Sequence, residues 1–360
     1  MIVEISEAAE QDLIDGHRFY ERQSTGLGDY FSNSVLADIE SLHLYAGVHT
    51  THFGYHRLLA KRFPFAVYYR VESDLIRVYA VLDCRRDSAW IRERLTSPME
   101  LIDTHCHLTF EPLAENVPGV IERSRAAGVT RWITIGTHLE DSRKAVELAG
   151  QYDNMYAAVG IHPHDAQTVD LRALEELKRL ARGEKVVAIG ETGLDFHYNF
   201  SKQPDQRRVF EAHLDIATEL ELPVVIHSRN AFDETMEILD RYGRGLKGVV
   251  FHCFSESAAQ AQMVLDRGWF VSFTGVVTFK NAEATREAAK VVPLDRMMIE
   301  TDCPYMSPEP VRKQKPNEPS LMVHTATFLA QLKGIGPDNL AQATTRTAME
   351  FFHLSEAKTS

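Results

Sequence analysis

Two histidines separated by one residue, His105 and His107, stand in the short apolar run Leu101-Ile102-Asp103-Thr104-His105-Cys106-His107-Leu108. Read as a strand, the run turns successive side chains to opposite faces. The two imidazoles then share a side and Cys106 takes the other. Neutral imidazole is the commonest metal ligand, and a pair on one strand face can grip a single ion. A solvated or hydrogen-bonded structural pair has the same spacing, so any metal reading needs further ligands from elsewhere in the chain.

The chain offers them. Glu191 ends the run Ala188-Ile189-Gly190-Glu191, His227 ends Val224-Val225-Ile226-His227, and His252 ends Val249-Val250-Phe251-His252. Asp302 follows Met298-Ile299-Glu300-Thr301. Each acid or imidazole sits at the same, C-terminal end of an apolar run. Four histidines and two carboxylates converging at one mouth are the donors that a pair of divalent cations needs. Mixed carboxylate and imidazole donors suit Mg²⁺, Mn²⁺ or Zn²⁺, and the sequence does not choose among them. Two such ions about 3.5–4 Å apart could clamp a phosphodiester and activate a water, with Asp302 placed to take its proton.

Other residues have two readings each. His162 and His164, in Gly160-Ile161-His162-Pro163-His164, either contact a substrate phosphate or order a loop. Arg229, two residues beyond His227, either binds phosphate or makes an ion pair at the rim. Glu318, in Asn317-Glu318-Pro319, is either a site residue or a helix start. Cys106, Cys253 and Cys303 each adjoin a candidate ligand; the strand period should turn them away as small packing residues.

The elements that must hold these groups follow from periodicity. Apolar runs at 101–107, 131–136, 156–161, 185–190, 223–228, 248–253, 269–274 and 296–301 read as strands buried on both faces. Amphipathic segments such as 138–151 and 170–181 lie between them. Eight strand–helix units in about 250 residues predict a (β/α)8 TIM barrel with its metal site at the C-terminal strand ends. An open doubly wound sheet is the alternative, but no glycine-rich phosphate turn follows the first strand.

The pattern changes at Leu95-Thr96-Ser97-Pro98-Met99, where a helical segment meets a Ser-Pro breaker. Three parts are therefore expected: a domain over 1–95, a linker at 96–98 and the barrel over 99–355, with Met99 reading as the start of a formerly separate frame. In the first part, 7–22 and 28–46 read as helices. Strands are expected at 56–62, 65–71 and 75–81, the last two joined in a hairpin through Glu72-Ser73-Asp74.

Composition narrows the function classes. The 360 residues are 44% hydrophobic and 25% charged, as in an ordinary globular protein. Four scattered cysteines and the absence of an ~18-residue apolar run point to a cytoplasmic protein with no membrane partner. The net charge of −12 argues against broad electrostatic attraction to nucleic acid. A polyanionic substrate would have to be held by bound cations and local basic groups.

Residues 99–355 resemble the TatD family of metal-dependent hydrolases, a branch of the amidohydrolase-type barrels. The stretches that carry the resemblance are DTHCHL (103–108), GIHPHDA (160–166), IGETGLD (189–195), PVVIHSRNA (223–231), FHCFS (251–255), FTGVVTFKNA (273–282), ETDCPYMSP (300–308) and NEP (317–319). The resemblance implies one metal on His105, His107, Glu191 and Asp302. It implies a second on Glu191, His227 and His252, with Glu191 bridging and with Glu191 and Asp302 as the catalytic residues. It further implies a deoxyribonuclease whose partner is DNA, single-stranded in form. The alternative within the same barrel is deacylation of misacylated tRNA or of a small ester. Two departures from the family bear on substrate contacts. Glu256 stands where glycine is common, and Arg312-Lys313-Gln314-Lys315-Pro316 lacks the usual Arg-Gly.

Residues 1–95 are similar to the RelE/ParE toxin family, through LLAKRFPFAVYYRVESDLIRVYAVLDCRRD (58–87) and the basic residues Arg57, Lys61, Arg62, Arg85 and Arg86. That resemblance implies a small α+β fold and an antitoxin as partner. Its alternatives are an inactive remnant or an interaction module. A third functional reading makes this toxin–antitoxin module the active part and the barrel secondary.

Overall fold

The computed structural model describes residues 2–72, 75–96 and 100–354. The chain divides into two compact units, Met1–Ser97 and Pro98–Ser360. Thr96 of the expected 96–98 linker ends a helix, whereas its other two residues and Met99 lie outside the described residues, as do Ser73 and Asp74 of the expected hairpin turn. Among the described residues no helix is long and apolar enough to cross a membrane.

The first unit runs β1 (Ile2–Ile5), α1 (Glu7–Glu21), α2 (Leu27–Glu40), α3 (Leu42–Tyr45), β2 (Thr51–His52), β3 (Tyr55–Leu59), β4 (Phe65–Glu72), β5 (Leu75–Asp83) and α4 (Ser88–Thr96). Its sheet has the order β1-β5-β4-β3-β2, with β1 parallel to β5 and the other pairs antiparallel. Ser6 caps α1 by accepting the Ala9 N–H. Phe31, Val35 and Ile39 of α2 pack on Tyr69, Ile76 and Val78 of the sheet. The single helix expected over 28–46 is broken at Ser41, whose hydroxyl turns back to the Asp38 carbonyl at 2.6 Å. β3 stops at Leu59 rather than 62, because the Lys61 N–H donates to the Asp38 carboxylate instead of to a neighbouring strand.

The second unit is an eight-stranded parallel barrel. Its strands are β6 (Leu101–Cys106), β7 (Val129–Ile135), β8 (Met155–Val159), β9 (Val186–Asp195), β10 (Val224–Arg229), β11 (Val249–Phe251), β12 (Phe270–Phe273) and β13 (Met297–Ile299), paired in chain order. Helices α5 (Val117–Ala126), α6 (Leu139–Ala149), α7 (Leu171–Leu180), α8 (Gln203–Leu220), α9 (Phe232–Tyr242), α10 (Ala258–Leu265), α11 (Glu283–Val291), α12 (Met322–Lys333) and α13 (Pro337–Phe351) complete it. The expected (β/α)8 architecture is therefore the one found, with all eight strands where apolar runs place them.

Alternation along the strands builds two cores. Leu101, Trp132, Ala157, Ile189, Val224, Phe251 and Ile299 face the helices. Ile102, Ile133, Ala158, Ala188, Val225, Val250 and Met298 fill the barrel with Phe351 and Phe352 from the end of α13. The interior is thus packed rather than a pore. Trp132 is fully buried, and its Nε1–H donates to Ser124 Oγ at 2.9 Å; truncation to alanine would cost about 3–5 kcal/mol. The first and last strands meet at the opposite end, where Asp302 N–H donates to the His105 carbonyl at 2.8 Å and His107 N–H to the Cys303 carbonyl at 2.9 Å.

Candidate metal centre

β6 delivers His105 and His107 to the mouth of the barrel as alternation requires, with their Nε2 atoms 3.3 Å apart. The His107 Nδ1–H donates to the Ile135 carbonyl at 3.2 Å, which leaves the Nε2 lone pair facing inward. Two inward lone pairs at this spacing repel each other unless a cation or a proton lies between them. Glu191 Oε2 stands 3.4 Å from His105 Nε2 and 3.9 Å from His107 Nε2. Asp302 Oδ1 stands 3.7 and 3.3 Å from the same two atoms.

The other oxygen of Glu191 faces a second group. Its Oε1 lies 2.8 Å from His227 Nδ1, 2.8 Å from His252 Nε2 and 3.5 Å from His162 Nε2. All six sequence-predicted metal ligands are thus brought together around one carboxylate. His162, read from sequence only as a substrate or loop residue, joins them, with Nε2 3.4 Å from His227 Nδ1. The buried Nδ1 atoms of His105 and His252 have no hydrogen-bond partner among the described residues. Donor type, clustering and burial all fit divalent cations.

Backbone geometry sets these directions. Gly193 in β9 has φ +138°, and a Cβ there would meet the His227 carbonyl oxygen at 2.0 Å. Only glycine lets the strand carrying Glu191 run this close to the strand carrying His227. Asp302 and Cys253 adopt left-handed conformations, φ +52° and +44°. Such strain costs on the order of 1–3 kcal/mol per residue and is retained where the site over-determines it.

The charges are unequal in their surroundings. Burial alone would raise the Glu191 carboxyl, but the His252 and His162 imidazoles hold it well below the usual carboxylate range. Asp302 is likewise held down by His107 and His105 against the effect of burial. Burial pushes His162 well below the ordinary imidazole value. His252 is held well above it, since Glu191 and Glu300 outweigh burial. Its ring stacks on His105 with centroids 3.9 Å apart, and burial together with this neighbour lowers His105.

Several supporting groups escaped the sequence reading. Asp195 Oδ2 lies 3.2 Å from His227 Nε2 and 2.9 Å from His164 Nε2. His164 is therefore tied to this carboxylate, which suits its loop-ordering reading. Four residues past Glu191 on β9, Asp195 faces the same way, and that period was the available signal. Glu300 accepts the Cys253 N–H at 2.7 Å, and Asp103 accepts the Thr301 hydroxyl at 2.5 Å. Burial raises the Asp103 carboxyl to about 7. His213, wholly buried on α8, donates from Nδ1 to Val209 O at 2.6 Å and accepts the Ile161 N–H on Nε2 at 3.0 Å. It thereby pins the segment that carries His162.

A cavity of about 710 Å³ opens over the cluster, lined among others by Tyr198, Arg229, Ser255 and Tyr305. Among the described residues Arg229 makes no rim ion pair; its guanidinium lies over the Tyr198 ring at 4.7 Å. Glu318 is engaged with Arg123 in a two-pronged ion pair, the nearest atoms 2.6 Å apart, as the start of a helical turn. Cys106 and Cys303 are buried packing residues as expected. Cys253 is not: β11 ends at Phe251, so strand alternation no longer applies, and Cys253 lines the cavity.

A family model described as TatD related DNase matches residues 102–353. The metal-dependent hydrolase YabD of Bacillus subtilis (strain 168) is 39% identical over 255 residues, covering 71% of this chain and 100% of that protein. A 3'-5' ssDNA/RNA exonuclease TatD of Salmonella typhimurium is 34% identical over 258 residues, covering 71% and 99%. Among solved structures, YJJV, a TatD homologue from Escherichia coli K12, superposes with a TM-score of 0.67 at 31% identity, covering 71% of this chain and 99% of that one.

Proposed function

The chain belongs to the TatD-related DNase family and is a metal-dependent hydrolase, and from that premise we propose that its barrel hydrolyses phosphodiester bonds of single-stranded DNA. The observation that carries this reading is the division of Glu191, with Oε2 toward His105 and Oε1 toward His227 and His252. His105, His107, Glu191 and Asp302 would hold one divalent ion, and Glu191, His227 and His252 a second, with His162 beside it. Bound there, Mg²⁺, Mn²⁺ or Zn²⁺ would supply Lewis acidity toward a phosphoryl oxygen and lower the pKa of water. Asp302 is held toward its ionised form by His107 and His105 and lines the cavity, so it can accept the proton that the attacking water loses. A pocket of about 710 Å³ is of small-ligand size and suits one nucleotide of a flexible strand rather than an intact duplex. The printed name of the Salmonella relative, an ssDNA/RNA exonuclease, supports the same substrate class.

The test is release of nucleotides from a labelled single-stranded oligonucleotide by the full chain with each of the three metals. Release that disappears in Glu191→Ala and Asp302→Ala supports the reading. Digestion by both variants as fast as by the parent overturns it, as does hydrolysis of misacylated tRNA without any cleavage of DNA.

We further propose that residues 1–95 are a RelE/ParE-like module whose partner is an antitoxin. Helices α1 and α2 followed by the antiparallel strands β2 to β5 support this. Of the basic residues behind the resemblance, Arg85 is clamped by Asp83, Lys61 by Asp38, and Arg86 lies over Trp90. Expression of the full chain carrying Glu191→Ala separates the readings. Growth arrest relieved by a cognate acidic partner supports a live toxin, and normal growth leaves an inactive remnant.

A further inference from the structure

We propose that Tyr198 and Phe200 form a stacking seat for one nucleobase of the substrate strand, with Arg229 as its cationic edge. The naming of the occupant rests on the nuclease reading above. The two rings are nearly coplanar in direction, 4° apart with centroids at 5.3 Å. They are nonetheless 48% and 62% exposed. Large aromatic side chains left this open usually mark a binding surface when they stand together at the rim of a cavity.

The pair is held in place rather than loosely displayed. The His164 ring meets Phe200 edge-on at 4.8 Å and Tyr198 at 5.6 Å. The Arg229 guanidinium lies 4.7 Å from the Tyr198 centroid. Asp195 then ties the seat to the metal cluster: Oδ1 accepts the Tyr198 N–H at 2.9 Å while Oδ2 meets His227 Nε2 at 3.2 Å. One carboxylate thus sets both the loop bearing the rings and an imidazole of the cluster. A base stacked here would bring its own phosphate toward the cavity, which the Arg229 guanidinium also lines.

The chemistry favours a base over other occupants. Every base has a π-face, so stacking on paired aromatics with an arginine at the side is strong and tolerant of sequence. It also answers the net charge of −12, which gives the chain no broad attraction for a polyanion.

The experiment is a fluorescence titration of the full chain, in the presence of Mg²⁺, with a cleavage-resistant phosphorothioate oligothymidylate carrying one 2-aminopurine near its 3′ end. The parent should bind and quench the probe. Tyr198→Ala and Phe200→Ala should weaken binding about tenfold and remove the quench. Phe200→Trp should restore both. Alanine variants that bind and quench like the parent overturn the seat, as does an abasic probe bound as tightly as the base-containing one. A parent that does not bind overturns it too. If the alanine variants change only the oligomeric state, the rings serve a second copy and the proposal falls. Ring-dependent quenching in a protein that cleaves no oligonucleotide with any metal keeps the seat and removes the nuclease reading.

Discussion

Asp195 and His227 are joined across adjacent strands: Oδ2 of the acid meets Nε2 of the imidazole at 3.2 Å, so that Nδ1 of the same ring is aimed at Glu191. The acid is a positioning residue, acting through the ring. Asp195→Asn keeps the shape but can no longer fix the tautomer. Metal affinity measured by competition with a chromogenic chelator should fall about 10–100-fold, with Asp195→Glu recovering part of it.

Glu191 turns one carboxylate oxygen to each of the two groups of imidazoles. Glu191→Ala should lower the bound metal measured by mass spectrometry of the purified protein. Hydrolysis should drop by about 100-fold or more, beyond the loss expected of an outer residue. Undiminished metal content would show that the ions sit elsewhere.

Metal removal should destabilise the barrel by mass action. At 100 times the dissociation constant a bound ion adds about 2.7 kcal/mol. For a unit of this size, chelation should lower the melting temperature by roughly 5–10 °C. Calorimetry with and without chelator reads this directly.

His213 gives the protein an acid limit of its own. Burial lowers its imidazole to about 4, and its Nε2 must stay unprotonated to accept the Ile161 N–H. Below the unfolded value of 6.5 the unfolded chain binds a proton that the folded chain refuses. The stability is therefore complete above about pH 6.5, falls as pH drops and is lost through pH 4. The full difference is about 3 kcal/mol. His213→Gln, which keeps an acceptor, should flatten urea-unfolding stability between pH 4 and 6.5 relative to the parent.

Gly193 is required by contact rather than by turn geometry alone, since a Cβ would strike the His227 carbonyl oxygen. Gly193→Ala should destabilise by about 3 kcal/mol or more and spread β9 from β10. Its thermal midpoint and its metal content should fall together.

The barrel was legible because each strand is a short apolar run, and each candidate ligand lies at or near the end of one. His105, His107, Glu191, His227, His252 and Asp302 needed only that rule. Glu300 and His213 were not found, because their partners come from other strands or from a helix and no local spacing encodes such pairs; Asp195 was missed although its spacing from Glu191 puts it on the same strand face. Cys253 was misplaced because β11 is only three residues long, so alternation expired before reaching it. β1 was passed over because four residues carry too little pattern, and it exists through its parallel pairing with β5. His162 could be seen as chemical, but only the fold shows it beside Glu191.

The stitch between the barrel's ends has a consequence for the order of events in the cell. His105 and His107 leave the ribosome almost two hundred residues ahead of Asp302, and the bonds from Asp302 to the His105 carbonyl and from His107 to the Cys303 carbonyl form only once both termini of the barrel exist. A growing chain therefore carries the histidine pair and Glu191 before Asp302 exists to complete the group. The full set of candidate ligands is assembled only after the last strand of the barrel has been made.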